Sequence, residues 1–192
     1  MKKIGKILRN LVILFFASSI FAVLVFRFIP VFITPLMVIR SVESITDGEV
    51  PKIKKTWVPL EDISQNMVQA VVASEDNLFM EHNGFSVTDI KKAISHNKKG
   101  KRIRGGSTIS QQTAKNVFLW PERSWVRKGL EAYFTVLIEF LWSKERIMEV
   151  YLNVIETGDG IYGVQAASKV YFGKKASKLS RSQAALIAVC LP

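Results

Sequence analysis

A long apolar segment near the N-terminus is the strongest pattern in the chain. Residues 11–26 include no charged side chain. A helix over residues 11–29 would be about 28 Å long at about 1.5 Å per residue, close to the hydrocarbon thickness of a bilayer. Arg27 lies within a turn of its end, where a long side chain can reach the interface. We therefore predict a transmembrane helix over residues 11–29.

The flanks of this segment indicate its orientation. Residues 1–10 carry four basic side chains, Lys2, Lys3, Lys6 and Arg9. Basic flanks remain in the cytoplasm, so we expect residues 1–10 there and everything after Pro30 outside. A cleaved signal peptide would have a shorter apolar stretch, whereas here it continues well past the weak cleavage candidates Ala17 and Ser19. A buried core helix would show a polar face, and none is visible.

Residues 30–56 are expected to form a membrane-proximal connection. Pro30 and Pro35 prevent a second continuous span. The apolar residues from Val31 to Ile39 are therefore expected to lie along the outer face of the membrane. A polar segment, Ser41 to Lys55, then leads to a body that we assign to residues 57–192.

The body follows helical spacing, and strand signals are sparse, so we predict a mainly α domain. An apolar stripe after Pro59 predicts a helix that ends at Glu75. Ser124 and Ser143 are expected to cap helices over Trp125–Trp142 and Lys144–Leu152. The pattern Ser-Arg-Ser-Gln at residues 180–183 is a capping box that opens the last helix.

Composition limits the chain to one domain beside the apolar helix. Its 192 residues are 48% hydrophobic, enough for one core but not for two. Cys190 is the single cysteine, which excludes an intrachain disulfide, and its apolar surroundings predict a core position. The formal net charge is +11. Between Asp89 and Glu122 no residue is acidic and eight are basic, namely Lys91, Lys92, Lys98, Lys99, Lys101, Arg102, Arg104 and Lys115.

Two neighbouring segments carry the candidate chemistry. Residues 74–84 hold several carboxylates that can move a proton, while residues 105–116 supply glycines, hydroxyls, amides and a lysine that can bind an anion. A general base beside a positive pocket indicates chemistry on a phosphate-bearing substrate. The glycines of residues 158–163 match a dinucleotide pattern, but no acidic ribose ligand follows, so we interpret them as a turn that opens a helix. Two histidines and one cysteine show no zinc site.

Four motifs in order give the chain a family resemblance. They are Glu75-Asp76-x-x-Phe79-x-x-His82-x-Gly84, Gly106-Ser107-Thr108-x-x-Gln111-Gln112-x-x-Lys115-Asn116, Arg127-Lys128-x-x-Glu131 and Lys144-x-x-Ile147-x-Glu149-x-Tyr151-Leu152-Asn153. Together they resemble the peptidoglycan glycosyltransferases of glycosyltransferase family 51, over residues 57–192. The size is similar to that of the single-domain members, without room for a transpeptidase domain. Family members continue beyond a point equivalent to Pro192, so a truncated C-terminal end is expected.

The resemblance implies a lysozyme-like, largely helical fold and an inverting glycosyl transfer. The 4-hydroxyl of lipid II would attack the anomeric carbon of a lipid-linked glycan strand, forming a β-1,4 bond and releasing undecaprenyl diphosphate. Glu75 would be the general base, and Glu131 a second catalytic carboxylate near the leaving diphosphate or the acceptor. Diphosphate and sugar would be bound by Ser107, Thr108, Gln111, Gln112, Lys115, Asn116, Arg123, Arg127 and Lys128.

Six further motif residues are expected to support the site, namely Asp76, Phe79, His82, Gly84, Glu149 and Asn153. Asp76 is interpreted either as a helix-end cap or as a direct participant. For His82, scaffolding by hydrogen bonds is favoured over catalysis. Glu149 and Asn153 lie one turn apart and are expected to tie a loop.

The resemblance also implies the surroundings of the protein. It would be a single-pass protein of the bacterial inner membrane with its catalytic domain in the periplasm. Its partners would be lipid II, the glycan strand, membrane lipids and other cell-wall synthesis and division proteins, but no nucleic acid. No cofactor is assigned with certainty, and a magnesium or manganese ion stays open.

Two other function classes fit parts of the sequence. A lytic enzyme of the same fold would cleave glycan strands, but it would not need the anion site of Lys115 and Arg123, because its leaving group is a sugar. A non-enzymatic membrane protein could use the basic stretch to bind lipid or nucleic acid. Nucleic-acid readers, however, usually add stacking aromatic residues or a recognised fold.

Overall fold

The computed structural model describes residues 2–88, 91, 95 and 106–191. Most of the basic stretch from Lys91 to Arg104 falls outside these residues, as do His96 and Gly105. Within the described ranges the chain forms eight α-helices: α1 (Lys2–Phe28), α2 (Pro35–Thr46), α3 (Gln65–Glu75), α4 (Ile109–Phe118), α5 (Trp125–Leu141), α6 (Lys144–Val154), α7 (Val164–Phe172) and α8 (Arg181–Val189). Leu60–Asp62 and Ala176–Lys178 form short 3-10 helices. The mainly α prediction is confirmed.

Serine caps fix the beginnings of the predicted helices. The hydroxyls of Ser124, Ser143 and Ser180 each accept a hydrogen bond from the backbone N–H three residues later. Each bond satisfies one of the N–H groups that have no partner inside a helix. At Ser180 the side chain of Gln183 also accepts from the cap's own N–H, which completes the predicted capping box.

Helix α4 lies at the centre of the domain and was not predicted as a helix. Eight of its ten residues are buried, and five of those eight are polar. It packs against α5 on one side and α6 on another. Thr108 and Gln111 form a capping box at its start. Because the buried residues are largely polar, this helix carries no apolar stripe that the sequence pattern could reveal.

The membrane-proximal connection is helical where we expected a polar link. Helix α2 extends to Thr46, past Ser41, where the polar segment was expected to begin. Thr34 caps it and Pro35 occupies the first helical position, where a missing N–H costs nothing. Val31 and Met37 are buried, so this segment packs against the domain.

A three-stranded sheet of order β1-β3-β2 closes one edge of the domain. It comprises β1 (Lys54–Lys55), β2 (Glu156–Gly158) and β3 (Ile161–Tyr162). β1 runs parallel to β3, and β2 pairs with β3 in an antiparallel hairpin. Gly163, with φ of 81°, is the N-cap residue of α7, which confirms the predicted glycine turn that opens a helix. The hairpin before it was not predicted.

Helix α1 is the one described helix long and apolar enough to cross a membrane. Its C-terminal half packs on α5, where the Ser19 and Tyr133 hydroxyls are 2.7 Å apart. The Trp142 indole N–H donates to the carbonyl of Val23 at 2.8 Å. Arg146 donates to the carbonyls of Phe26 and Ile29 at the end of the helix. One prediction is wrong: Cys190 is exposed, because it follows the last turn of α8 rather than lying on its buried face.

Candidate active site

Glu75 is the last residue of α3 and is half-buried. Its Oε2 accepts a hydrogen bond from the side-chain amide Nε2 of Gln112 at 2.9 Å. The other end of that amide, Oε1, accepts from the hydroxyl of Tyr151 at 3.2 Å. Residues from α3, α4 and α6 therefore meet in one hydrogen-bonded chain that ends at the Glu75 carboxylate.

Tyr151 determines which way the Gln112 amide points. The tyrosine is fully buried. Burial, followed by the nearby charges of Glu75 and Asp76, raises its pKa above the ordinary value, so the hydroxyl keeps its proton and can donate. A donor at Oε1 leaves the NH₂ group to face Glu75. Tyr151 was quoted within a motif but was not assigned to the site from sequence.

Asp76 caps the C-terminus of α3 and is buried. Its Oδ1 lies 2.9 Å from Nε2 of His82, and its Oδ2 accepts from the backbone N–H of Ile109 at 3.0 Å. Nδ1 of His82 accepts from the N–H of Gly84, which assigns the ring proton to Nε2 and directs it at Asp76. This cluster joins the end of α3 to the beginning of α4, next to Glu75.

Gly84 and Thr108 complete the same junction. The Thr108 hydroxyl donates to the carbonyl of Gly84 at 2.7 Å. Gly84 has φ of 86°, and a Cβ there would lie 2.7 Å from Cγ2 of Thr135. Thr108 is buried and does not line the cation cleft, so its hydroxyl is used within the protein.

Phe79 is also buried, under the ammonium of Lys144 at 4.6 Å from the ring centre.

A cleft of about 630 Å³ opens beside this chain of hydrogen bonds. Gln112 is part of both the cleft and the hydrogen-bonded chain, because it lines the cleft and contacts Glu75. The described lining includes four cations and one carboxylate, so the cleft is strongly positive. Seven of the predicted binding residues line it together with Glu131, namely Ser107, Gln111, Gln112, Lys115, Arg123, Arg127 and Lys128.

Glu131 is buried, and both of its oxygens accept from cations. Arg127 donates to Oε2 at 2.8 Å, and Lys128 donates to Oε1. Lys128 also reaches the Ser107 hydroxyl at 3.4 Å. Within the described residues, Nε of Arg127 is buried without an acceptor. Glu131 thus fixes two cations at the wall of the cleft, and its own lone pairs face them.

Lys115 is a half-buried cation of the cleft. Burial lowers its pKa, Glu131 opposes this effect, and Arg127, Lys128 and Arg123 add to it. Nζ of Lys115 has no hydrogen bond or ion pair within the described part of the chain, unlike the cations paired with Glu131. A desolvated, unpaired ammonium among other cations is suited to an anionic ligand.

The remaining predicted residues serve other contacts. Glu149 accepts from the backbone N–H of Leu60, and Asn153 exchanges two hydrogen bonds with the backbone of Val58. Both therefore tie the segment before α3 to α6. Asn116 is buried beside Lys115 and lines a different, smaller pocket. Among the described residues, no group of three or more His, Cys, Asp or Glu side chains is arranged to hold a metal ion.

One buried network was missed from sequence. Glu139 accepts from Lys144 at 2.8 Å and from the hydroxyl of Ser110. Lys144 also donates to the carbonyl of His82 at 2.6 Å. These contacts connect α4, α5 and α6 behind the site. Except for Lys144 and Glu139, which are five positions apart, the partners are far apart in sequence, and no local pattern signals the pairing.

Comparison with known proteins assigns the family. Residues 42–192 match the family model described as Transglycosylase. The chain belongs to this transglycosylase family. It is 63% identical over 191 residues to the biosynthetic peptidoglycan transglycosylase of Bacteroides thetaiotaomicron, covering 100% of this chain and 77% of that one. The protein of the same name from Bdellovibrio bacteriovorus is 61% identical, with 94% and 72% covered. The one from Caulobacter vibrioides is 52% identical, with 98% and 82% covered.

Membership of the family confirms the resemblance read from the four motifs. It also confirms the fold class, since the transglycosylase domain is lysozyme-like and the structure is mainly helical. The enzyme class follows from the family as well: this transglycosylase is a peptidoglycan glycosyltransferase. The apolar helix α1 fits a single-pass membrane anchor.

Proposed function

We propose that this transglycosylase polymerises lipid II into β-1,4-linked glycan strands with release of undecaprenyl diphosphate. The observation that carries the proposal is the shared position of Gln112. Its amide contacts the Glu75 carboxylate and also lines a cleft with four cations. The side chain of Gln112 therefore separates a proton acceptor from an anion site. Transfer from a diphosphate donor requires both, close together.

Glu75 acts as the general base. It removes the proton of the acceptor 4-hydroxyl as that oxygen attacks the anomeric carbon of the lipid-linked strand. The Gln112 amide holds one carboxylate oxygen at 2.9 Å. The other oxygen has no hydrogen bond within the described residues and is available for the hydroxyl proton. Attack from this side inverts an α-linked donor into a β linkage.

The cleft stabilises the departing diphosphate. As the bond to the anomeric carbon breaks, negative charge grows on the leaving oxygen, and Lys115 offers an ammonium that no protein carboxylate neutralises directly. Arg123 is exposed at the rim and adds a second charge. Preorganised cations aimed at developing charge are usually the largest contribution to such catalysis.

Glu131 takes a positioning role in this mechanism. Both of its oxygens are engaged by Arg127 and Lys128. It keeps those cations in place and moderates their mutual repulsion. The unsatisfied Nε of Arg127 is a donor that a phosphate oxygen can satisfy.

In this proposal, helix α1 anchors the domain at the outer surface of the bacterial inner membrane, with its N-terminus in the cytoplasm. The basic residues before the span support this orientation. Ser19, nine residues before the end of α1, contacts Tyr133 of the domain. At about 1.5 Å per residue this contact lies roughly 14 Å into the span, so part of α5 reaches the outer leaflet. Phe140 and Val136 on α5 are exposed apolar side chains, as expected for a helix that contacts lipid. Lipid II is therefore collected from the membrane itself.

The direct test supplies the purified full chain in detergent or liposomes with labelled lipid II. The expected products are glycan polymer and undecaprenyl diphosphate. The lytic alternative predicts the reverse behaviour, shortening of preformed glycan strands with lipid II left intact. Binding of lipid II with neither outcome would leave a non-enzymatic protein and contradict the proposal.

A further inference from the structure

A second pocket adjoins Lys115. It has a volume of about 150 Å³ and shares Lys115 with the cation cleft. This is below the roughly 300–1,000 Å³ that is typical of a site for a whole small molecule, so it suits one substituent of a larger substrate. Its walls come from α2, α4, the turn after α4 and β2, and they include Leu36, Arg40, Asn116, Trp120 and Glu156.

Asn116 lines this pocket and carries an unpaired hydrogen-bond donor. The residue is 6% exposed, and its Nδ2 is buried with no acceptor among the described residues. An unsatisfied buried amide is costly, by about 1–3 kcal/mol, so such a group in a native structure calls for an explanation. A carbonyl oxygen of a ligand would satisfy it.

Glu156 offers an acceptor on the facing strand β2. It is half-buried, and burial raises its pKa while Arg40 lowers it. Arg40 lies near enough for its own pKa to respond to Glu156. The carboxylate is thus partly desolvated, and a ligand N–H is a fitting partner for it.

Apart from Lys115 and Arg40, the rest of the wall is apolar. Trp120 and Leu36 are among the side chains that line the pocket, and apolar groups exceed polar ones over its surface. One donor, one acceptor and an apolar wall together match an acetamido group: a carbonyl oxygen, an N–H and a methyl.

We propose that this pocket binds the 2-acetamido group of the sugar that carries the diphosphate. The assignment rests on the proposed function, because Lys115 links the pocket to the diphosphate cleft. The sugar next to the diphosphate is then within reach of both the pocket and the diphosphate cleft. Leu36 and Arg40 lie on α2 and precede residue 42, where the match to the family model begins. The membrane-proximal helix therefore contributes to substrate selection as well as to attachment.

The test compares lipid II with an analogue in which a hydroxyl replaces the 2-acetamido group of the diphosphate-linked sugar. We expect the full-length protein to prefer lipid II by about 10–100-fold in kcat/KM, because the analogue leaves the buried amide of Asn116 unsatisfied. Asn116→Asp replaces the donor by an acceptor, and Glu156→Gln removes the charge with little change in size. Each should reduce the preference to about threefold or less, with melting temperature checking that the variant is folded.

Lys128→Ala is the matched control, since Lys128 lines the cleft but not this pocket. It should lower kcat/KM for both substrates by a similar factor and leave the preference intact. Equal use of the two substrates by the wild-type protein would overturn the acetamido assignment while leaving polymerisation established. So would variants at Asn116 and Glu156 that slow both substrates equally, since the pocket would then serve the diphosphate or the lipid. Failure to polymerise lipid II at all would instead refute the proposed function.

Discussion

Replacing Tyr151 by Phe removes one hydroxyl from the chain that ends at the general base. The ring is fully buried and keeps its shape, so the change acts through the 3.2 Å hydrogen bond to Oε1 of Gln112. Without that donor, Oε1 is a buried acceptor with no partner, a defect worth about 1–3 kcal/mol. The amide can escape by rotating, but its oxygen would then face the Glu75 carboxylate. Either result weakens the 2.9 Å contact that orients Glu75.

The expected loss is about 1–2 kcal/mol in transition-state stabilisation, or roughly five- to thirty-fold in kcat. Lipid II affinity should change less, because Tyr151 does not line the cleft. Steady-state polymerisation assays measure the two separately. Tyr133→Phe is the matched control: it removes a tyrosine hydroxyl that contacts Ser19 at 2.7 Å, with no contact to the Glu75 chain.

A double-mutant cycle with Gln112→Ala distinguishes positioning from packing. If Tyr151 acts through Gln112, the second substitution should add little to the first. Fully additive losses, or a Tyr151→Phe protein with wild-type kcat, would refute the relay.

Three further perturbations follow from the described contacts. Burial lowers the pKa of Lys115, so polymerisation should decline as pH rises through that lowered pKa and the ammonium is lost. In Lys115→Arg the alkaline decline should move to higher pH. An identical decline in both proteins would exclude Lys115 as its source. Glu131→Gln leaves buried Arg127 without its counter-charge and should lower the free energy of unfolding by about 3–5 kcal/mol in denaturant titrations. Unchanged stability would mean that the pairing contributes nothing. Gly163→Ala should destabilise by at least about 1–3 kcal/mol, because φ is 81° and a Cβ would lie 2.7 Å from the carbonyl oxygen of Asn153. Gly129→Ala, on α5 with nothing within 4 Å, should instead stabilise by roughly 0.5–1 kcal/mol, and equal effects at the two glycines would contradict the steric account.

The parts of the fold that could be predicted from sequence are those with local signals. Ser124, Ser143 and Ser180 are caps followed by apolar stripes, and each begins a helix as expected. Helix α4 lacks such a stripe, because polar residues occupy five of its eight buried positions. Two of them, Ser110 and Gln112, pair with distant partners. The pattern Thr108-Ile109-Ser110-Gln111 is nevertheless a capping box, and that signal could have located it. Cys190 was misplaced because an apolar run does not show where a helix ends.

The candidate site could likewise be predicted only where local motifs signal it. The motifs pointed to Glu75 and to the cations, and the structure brings Lys115, Arg127 and Lys128 to one cleft. The contact of Tyr151 with Gln112 joins residues 39 positions apart and depends on how α6 packs on α4. No spacing rule reports such a contact. The engagement of both Glu131 oxygens by neighbouring cations likewise required side-chain geometry, since the motif alone suggested a second catalytic carboxylate.

The central claim is that Glu75 is the base that activates the acceptor hydroxyl. Glu75→Gln retains size and can still pair with Gln112, so folding and lipid II binding should persist. Measuring lipid II affinity and single-turnover polymerisation on the same preparation separates binding from chemistry. Binding within about threefold of wild type, with polymerisation reduced by on the order of 10²–10⁴-fold, is the predicted result. Polymerisation at the wild-type rate by Glu75→Gln would contradict the assignment.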